Sequence, residues 1–265
     1  MIHGIFDHTF QRYIDCGCIE YFEEQKEKGR IKHLGFSSHA NVENFTTFVN
    51  LRKWDFCMIP LNPYDWVYGT AKQQYGILLE QKIPIISMGP VRGGTLSALS
   101  PRAEAILKET HPNWSISEWA VRWGKNFEGV MVVLSGMSTM EQIKDNVAVF
   151  GHDEGLSESD EALFFDACET YRNEVRVACT NCKYCIESDT CHAKINIPPI
   201  LDIYNASKID NPWALGAIHD VDSEGSPADC TSCGKCSSRC PQNIKIEDVM
   251  EELAEAMKRI PPRRS

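Results

Sequence analysis

The chain has 265 residues, 43% apolar and 24% charged, with a net charge of -10 and a pI near 5.3, values that fit one large or two modest soluble domains. That acidity speaks against nucleic-acid binding, which needs a basic face, and the short basic stretch Lys258, Arg259, Arg263, Arg264 reads as a solvated terminus. No apolar run approaches the roughly 18 residues of a membrane span, and Met1-Ile2-His3-Gly4-Ile5-Phe6 lacks the basic start and long apolar stretch of a secretion signal, so no membrane association and a cytoplasmic setting are expected.

In chain order, the first 150 residues alternate short apolar runs with amphipathic ones, the pattern of βα units around a parallel sheet. A helix is predicted over 17–28, with Ile19, Phe22 and Tyr21 facing inward and Gly29 as its stop. A strand over 31–37 runs into Ser38 and His39, and Asn41 then caps a helix carrying Val42, Phe45, Phe48 and Val49. A strand over 56–61, a helix over 70–81 and a strand over 83–88 follow, with Pro84 at the start of the last. The loop Gly89-Pro90-Val91-Arg92-Gly93-Gly94 is suited to bringing backbone N–H groups to a phosphate.

Ser115 and Glu118 read as a capping box for a helix through Trp119, Ala120 and Trp123, and residues 130–135 as a further buried strand. A second box, Ser138 to Glu141, opens a helix whose free N–H groups suit an anion. A break over 151–155 precedes a helix from Ser157 through Leu163, Phe164, Ala167 and Tyr171. The organisation thus reads as a domain over 1–150, a connecting helix within 151–178 and a second domain over 179–265. Cys16, Cys18, Cys57 and Cys168 are expected to pack as small apolar groups, and Trp54, Trp66, Trp114, Trp119 and Trp123 to form core, with His33 and His39 structural or exposed.

The second domain carries the strongest motif. Cys230, Cys233, Cys236 and Cys240 followed by Pro241 form a C-x2-C-x2-C-x3-C-P run of the kind that holds a 4Fe-4S cluster, with Gly234 permitting close backbone approach. Cys179, Cys182 and Cys185 repeat the spacing, and Cys191 follows. In two-cluster proteins the fourth cysteine of a run ligates the other cluster. One cluster is therefore assigned to Cys179, Cys182, Cys185 and Cys240, the other to Cys230, Cys233, Cys236 and Cys191. Structural zinc uses two cysteine pairs and has no need of three cysteines in seven residues, while disulfide frameworks belong to small secreted chains. Ile197, Ile200, Leu201, Ile203 and Tyr204 predict helical structure between the loops, and a last helix is predicted over 246–257.

Four stretches together resemble the aldo/keto reductases that carry a C-terminal ferredoxin-like iron-sulfur domain: 1–4, 28–39, Pro90 to Gly94, and Leu134 to Gln142. The resemblance implies a TIM-type barrel binding NADP(H) at the carboxyl ends of its strands. A whole barrel needs about 200–250 residues, so the expected fold is α/β, a partial (β/α)8 barrel of its last four to five strands, followed by a helical two-cluster domain. Of the family's Asp, Tyr, Lys and His tetrad, only the histidine has a counterpart, His3. The implied cofactor contacts are Ser37 and Ser38, Arg92, Gly93 and Gly94, Ser135, Met137 and Ser138, with Gln142 where the family often has an arginine, and Asp145 and Asn146 on the adenine side; Met58 replaces a family glutamine.

The leading expectation is an oxidoreductase in which two 4Fe-4S clusters exchange single electrons with a nicotinamide nucleotide at the barrel. The alternatives are a non-catalytic electron-transfer or assembly subunit, or a truncated fragment. Expected partners are a ferredoxin, a flavoprotein or the nucleotide itself, and further chains, because half a barrel leaves strand edges for a homo-oligomer or complex to cover.

Overall fold

The computed structural model describes residues 1–125, 127–152, 155–175, 177–187, 190–209 and 212–259. Asp153 and Glu154, within the expected break at 151–155, lie outside the described residues, as do Arg263 and Arg264 of the basic tail. The chain divides into two units, Met1–Thr170 and Tyr171–Ser265. The expected connecting helix is α9 (Glu158–Glu174), within which the division falls.

The first unit is a five-stranded sheet in the order β1-β2-β3-β4-β5, every neighbouring pair parallel: β1 (Ile2–Ile5), β2 (Gly35–Ser38), β3 (Phe56–Pro60), β4 (Ile85–Met88) and β5 (Val130–Val133). Chain order equals spatial order, which is how successive right-handed βα crossovers build one arc of a barrel. The intervening helices are α1 (Phe10–Asp15), α2 (Cys18–Glu27), α3 (Val42–Val49), α4 (Pro63–Tyr68), α5 (Ala71–Glu80), α6 (Pro101–Thr110) and α7 (Ile116–Gly124), and α8 (Met140–Gly151) follows β5.

Local chemistry starts several of these helices. Asn41, Asn62, Ser100 and Ser115 each accept a backbone N–H three residues on, satisfying a donor the first helical turn leaves open. The box expected from Ser138 to Glu141 lies one residue later, where the Thr139 side chain accepts from Gln142 N and the Gln142 side chain reaches back to Thr139 N. The predicted partner of Ser115, Glu118, instead pairs along the helix with Arg122 at 2.8 Å.

Between strands and helices lies one core. Phe36 of β2, Phe45 and Phe48 of α3, Trp54 just before β3, Cys57 and Ile59 of β3, Leu78 of α5 and Ile85 of β4 are all but removed from solvent, each large side chain contributing roughly 1.5–3 kcal/mol by burial. Phe36, Phe48 and Trp54 stack at 4.8–5.3 Å between ring centroids. Trp54 therefore belongs to this layer, whereas Trp66 packs with Trp123 and Trp114 with Trp119, so the five tryptophans form separate groups.

Several sequence expectations change in the fold. Tyr21 is 55% exposed although Ile19 beside it on α2 is buried, and Cys16 is exposed. The strand expected over 31–37 is ordered as strand only from Gly35, where pairing with Phe56 begins. The strand expected to be buried over 130–135 ends at Val133, with Met131 57% and Val132 45% exposed. Among the described residues β5 is an edge strand paired with β4 alone, without the second neighbour that would cover it. Exposed Met140, Ile143, Val147 and Phe150 recur along one side of α8 next in sequence.

In the second unit α10 (Ile197–Ile209) leads into a 3-10 segment (Pro212–Asp220), and α11 (Lys235–Ser238) and α12 (Ile246–Met257) follow. Ile197, Ile200, Leu201 and Tyr204 of α10 and Ile246, Met250 and Leu253 of α12 form its core, together with Cys185 and Cys236. The helix predicted over 246–257 has those bounds.

Candidate functional site: two cysteine recesses and the strand ends

Two recesses flank the core of the second unit. One is lined by Cys179, Cys182, Cys185 and Cys240 with Pro198, Leu201 and Ile244; the other by Cys191, Cys230, Cys233 and Cys236 with Ile195, Ile197 and Met250, and Ile246 borders both. Each therefore takes three cysteines from one loop and its fourth from the other, the crossed grouping expected from the spacing. All eight thiols are free of disulfides. Burial pushes the Cys179 thiol up to about 11, Cys185 to about 12 and Cys236 to about 11; Cys240 raises the first two further, and Cys191 the third.

The two loops repeat one backbone conformation. Asn181 and Lys183, two and four residues after Cys179, have φ of 51° and 67°; Ser232 and Gly234, two and four after Cys230, have 52° and 69°. Lys194 and Asn243, three residues after Cys191 and Cys240, have 52° and 53°, and their N–H groups donate to those cysteines' carbonyls at 2.9 and 3.0 Å. Six residues after the same cysteines, Ile197 and Ile246 begin α10 and α12. Left-handed residues among right-handed ones turn successive N–H groups inward, forming concavities that suit anions and iron-sulfur clusters. Asn181 N already donates to Cys179 Sγ at 3.4 Å.

This donor set fits 4Fe-4S clusters: four cysteines and apolar walls at each recess, with a backbone N–H on a cysteine sulfur at the first. Among the described residues no three His, Cys, Asp or Glu side chains converge as the ligands of a single metal ion do. In a 4Fe-4S cube each cysteine meets a different iron, so four thiols spread around a recess suit it without converging on one point. Gly234 has protein atoms no nearer to an added Cβ than Glu247 Oε1 at 3.9 Å, so within the protein its role is the left-handed conformation rather than close approach.

In the first unit His3, the second residue of β1, is exposed, with Nδ1 3.2 Å from Ser37 Oγ, and Gly4 N donates to that same oxygen at 2.9 Å. Tyr13 Oη donates to the His3 carbonyl at 2.7 Å. Ser37 and Ser38 are buried; Ser38 Oγ accepts from Ala40 N at 3.1 Å, holding the chain as it leaves β2. Met58 lies half-buried on β3.

Arg92 is 3% exposed, donates from Nε to Asp65 at 2.9 Å and lies 4.1 Å over the Tyr64 ring. Asn62 Nδ2 donates to Asp65 and to the Gly89 carbonyl, tying the loop after β3 to the loop after β4. Gly93 and Gly94 follow with φ of 64° and 96°. Ser135 accepts from Asn146 Nδ2 at 2.9 Å, Met137 and Ser138 are exposed, and Gln142 Oε1 accepts from Ser138 N at 2.7 Å. Asp145 accepts from Ser115 and Ser117, joining α8 to the start of α7.

Sequence reasoning singled out neither Asn62 nor Asp65, although an asparagine before a proline directly after a strand signals a capped helix opening at a strand's carboxyl end. His39, read from the sequence as structural or exposed, is half-buried and stacks on Phe6 at 5.0 Å. Burial lowers its pKa to about 4, Asp65 opposing and His3 adding to the shift, so it is neutral at pH 7. Burial lifts the Cys168 thiol to about 12, Arg92 lowering it and Asp65 raising it further.

Among the described residues no helix is long and apolar enough to cross a membrane. The profile of a 4Fe-4S dicluster domain matches residues 178–244, so this part of the chain is an iron-sulfur domain. The aldo-keto reductase AKR11C1 from Bacillus halodurans in its holo form superposes with a TM-score of 0.51 at 22% identity, over 62% of this chain and 56% of that one. Gox0644 in its apo form follows at 0.48 and 18%, over 63% and 58%. The chain thus spans little more than half the length of these structures, and at such identities the first likeness speaks for fold alone. No curated protein matches the sequence. The profile of the Aldo/keto reductase family matches residues 5–163, more than half of the chain, and with the arc of parallel strands this establishes that the chain belongs to that family.

Proposed function

We propose that this chain is an iron-sulfur oxidoreductase in which each four-cysteine recess holds one 4Fe-4S cluster, and that the clusters exchange electrons either with NADP(H) at the first unit, the two electrons of one hydride divided one to each cluster and its proton released, or singly with a ferredoxin or flavoprotein. The observation that carries the reading is the crossed grouping of cysteines around two recesses built on one repeated backbone conformation. When bound, the clusters supply one-electron chemistry. The chain supplies thiols for the iron, inward N–H groups that offset negative charge, and apolar walls that limit water, which together tune potentials over roughly -700 to +450 mV. His3, held beside Ser37, is the group proposed to polarise a substrate oxygen; the Arg92 and Gly94 N–H groups already donate to the Gly89 and Val91 carbonyls, so the phosphate is proposed to bind at the start of α8.

Iron and sulfide analysis after anaerobic purification tests the first half, with about eight iron atoms per chain expected; zinc, or about four iron atoms, would overturn it. Mixing with NADPH under anaerobic conditions tests the second, with bleaching of cluster absorbance expected. A specific observation favours a second reading, that of an electron-transfer or assembly subunit. Arg92 is committed to Asp65, and Gln142 to its helix cap, so both side chains are occupied within the protein. Clusters bleached by dithionite but not by NADPH would decide for that reading. In either case, carbonyl reduction at rates usual for the family is not expected, since the tyrosine beside His3 among the described residues, Tyr13, spends its hydroxyl on the His3 carbonyl, and a proton donor is worth roughly 10²- to 10⁴-fold.

A further inference from the structure

The two crossing cysteines, Cys240 and Cys191, are each preceded by a residue that grips the other. Arg239 Nη1 donates to Thr190 Oγ1 at 2.6 Å and to the Glu187 carbonyl at 3.3 Å. Thr190 is buried, and both its N–H and its hydroxyl donate to that same carbonyl. Arg239 lies where its chain leaves the loop of Cys230, Cys233 and Cys236 to deliver Cys240 to the other recess. Thr190 lies where the loop of Cys179, Cys182 and Cys185 departs to deliver Cys191 in return. A single hydrogen-bonded contact therefore fixes both fourth ligands.

We propose that Arg239 and Thr190 are positioning residues that couple the filling of the two recesses: a cluster bound through Cys240 orders Arg239, which orders Thr190 and sets Cys191 for the second cluster, and the reverse holds equally. Such coupling is reciprocal and typically 5- to 150-fold. The mechanism is preorganisation, since the second site no longer bears the entropy of ordering its fourth ligand. The inference rests on the reading that each recess holds a cluster. The guanidinium is suited to the task because its planar, delocalised group fixes the directions of the two Nη1 N–H bonds that serve these oxygens, whereas a lysine ammonium rotates freely.

The test is native mass spectrometry of metal-free protein reconstituted anaerobically with limiting iron and sulfide. Independent sites of equal affinity leave about half the molecules with one cluster at half-saturation, whereas hundredfold coupling leaves about a tenth. Wild type is expected near the lower share, R239Q and T190V near one half, with unchanged iron at saturation, and T190S close to wild type because it keeps the hydroxyl. T190V removes the hydroxyl at nearly constant volume, so it carries the test should R239Q fail to fold. A wild-type share near one half, or variants indistinguishable from wild type, overturns the coupling. Saturation of wild type at a single cluster, or at none, overturns the underlying two-cluster reading instead.

Discussion

Replacing Gly234 by alanine separates the conformation of the cysteine loops from their packing. An added Cβ meets no protein atom closer than 3.9 Å, so the cost is that of holding an L residue at φ 69°, about 1 kcal/mol. For a domain of this unit's size that lowers Tm by about 4–8 °C. Lys183 holds the equivalent place in the other loop at φ 67° and already bears this strain. Lys183→Gly relieves about 1 kcal/mol, offset by roughly 0.5–1 kcal/mol of added unfolded-state entropy, so its net effect is near zero or slightly stabilising. Thermal unfolding of anaerobically reconstituted protein at matched iron content, followed by loss of cluster absorbance, measures both. A neutral Gly234→Ala, or equal losses in the two variants, would refute the shared left-handed conformation. Failure of Gly234→Ala to reach the wild-type iron content on reconstitution would show that close approach to the cluster, not φ, requires the glycine.

Cys240→Ser is expected to disturb the EPR signal of the cluster in the recess of Cys179, Cys182 and Cys185, and Cys191→Ser that of the other; the opposite losses would reverse the crossed assignment. The unfolded chain protonates His39 below its ordinary 6.5, the folded one only near 4, so the stability it confers is complete above 6.5 and lost as pH falls towards 4, by roughly 3 kcal/mol. His39→Gln should flatten that acid-side decline in denaturation followed by tryptophan fluorescence, and an unchanged slope would exclude His39 as its source. Because β5 and the apolar side of α8 are exposed, light scattering of the purified chain is expected to show self-association, and a stable monodisperse monomer would contradict it.

The spacing of the cysteines marked the second unit as an iron-sulfur domain without any structure, because three ligands in seven residues can serve few other purposes. Alternating apolar runs likewise determined the βα order, since strand and helix periods differ enough to be read locally. What only the tertiary structure decided depends on residues distant in sequence. β5 is exposed because nothing among the described residues pairs its far edge, which Val130-Met131-Val132-Val133 cannot reveal, as an apolar run reads the same at a sheet's centre and its edge. Arg92 became an internal partner of Asp65 because the loops after β3 and β4 meet in space, 27 residues apart in sequence. The contact of Arg239 with Thr190 joins residues 49 apart. Hydrogen bonds of that kind leave no periodic trace, so they emerge only when the fold brings donor and acceptor together.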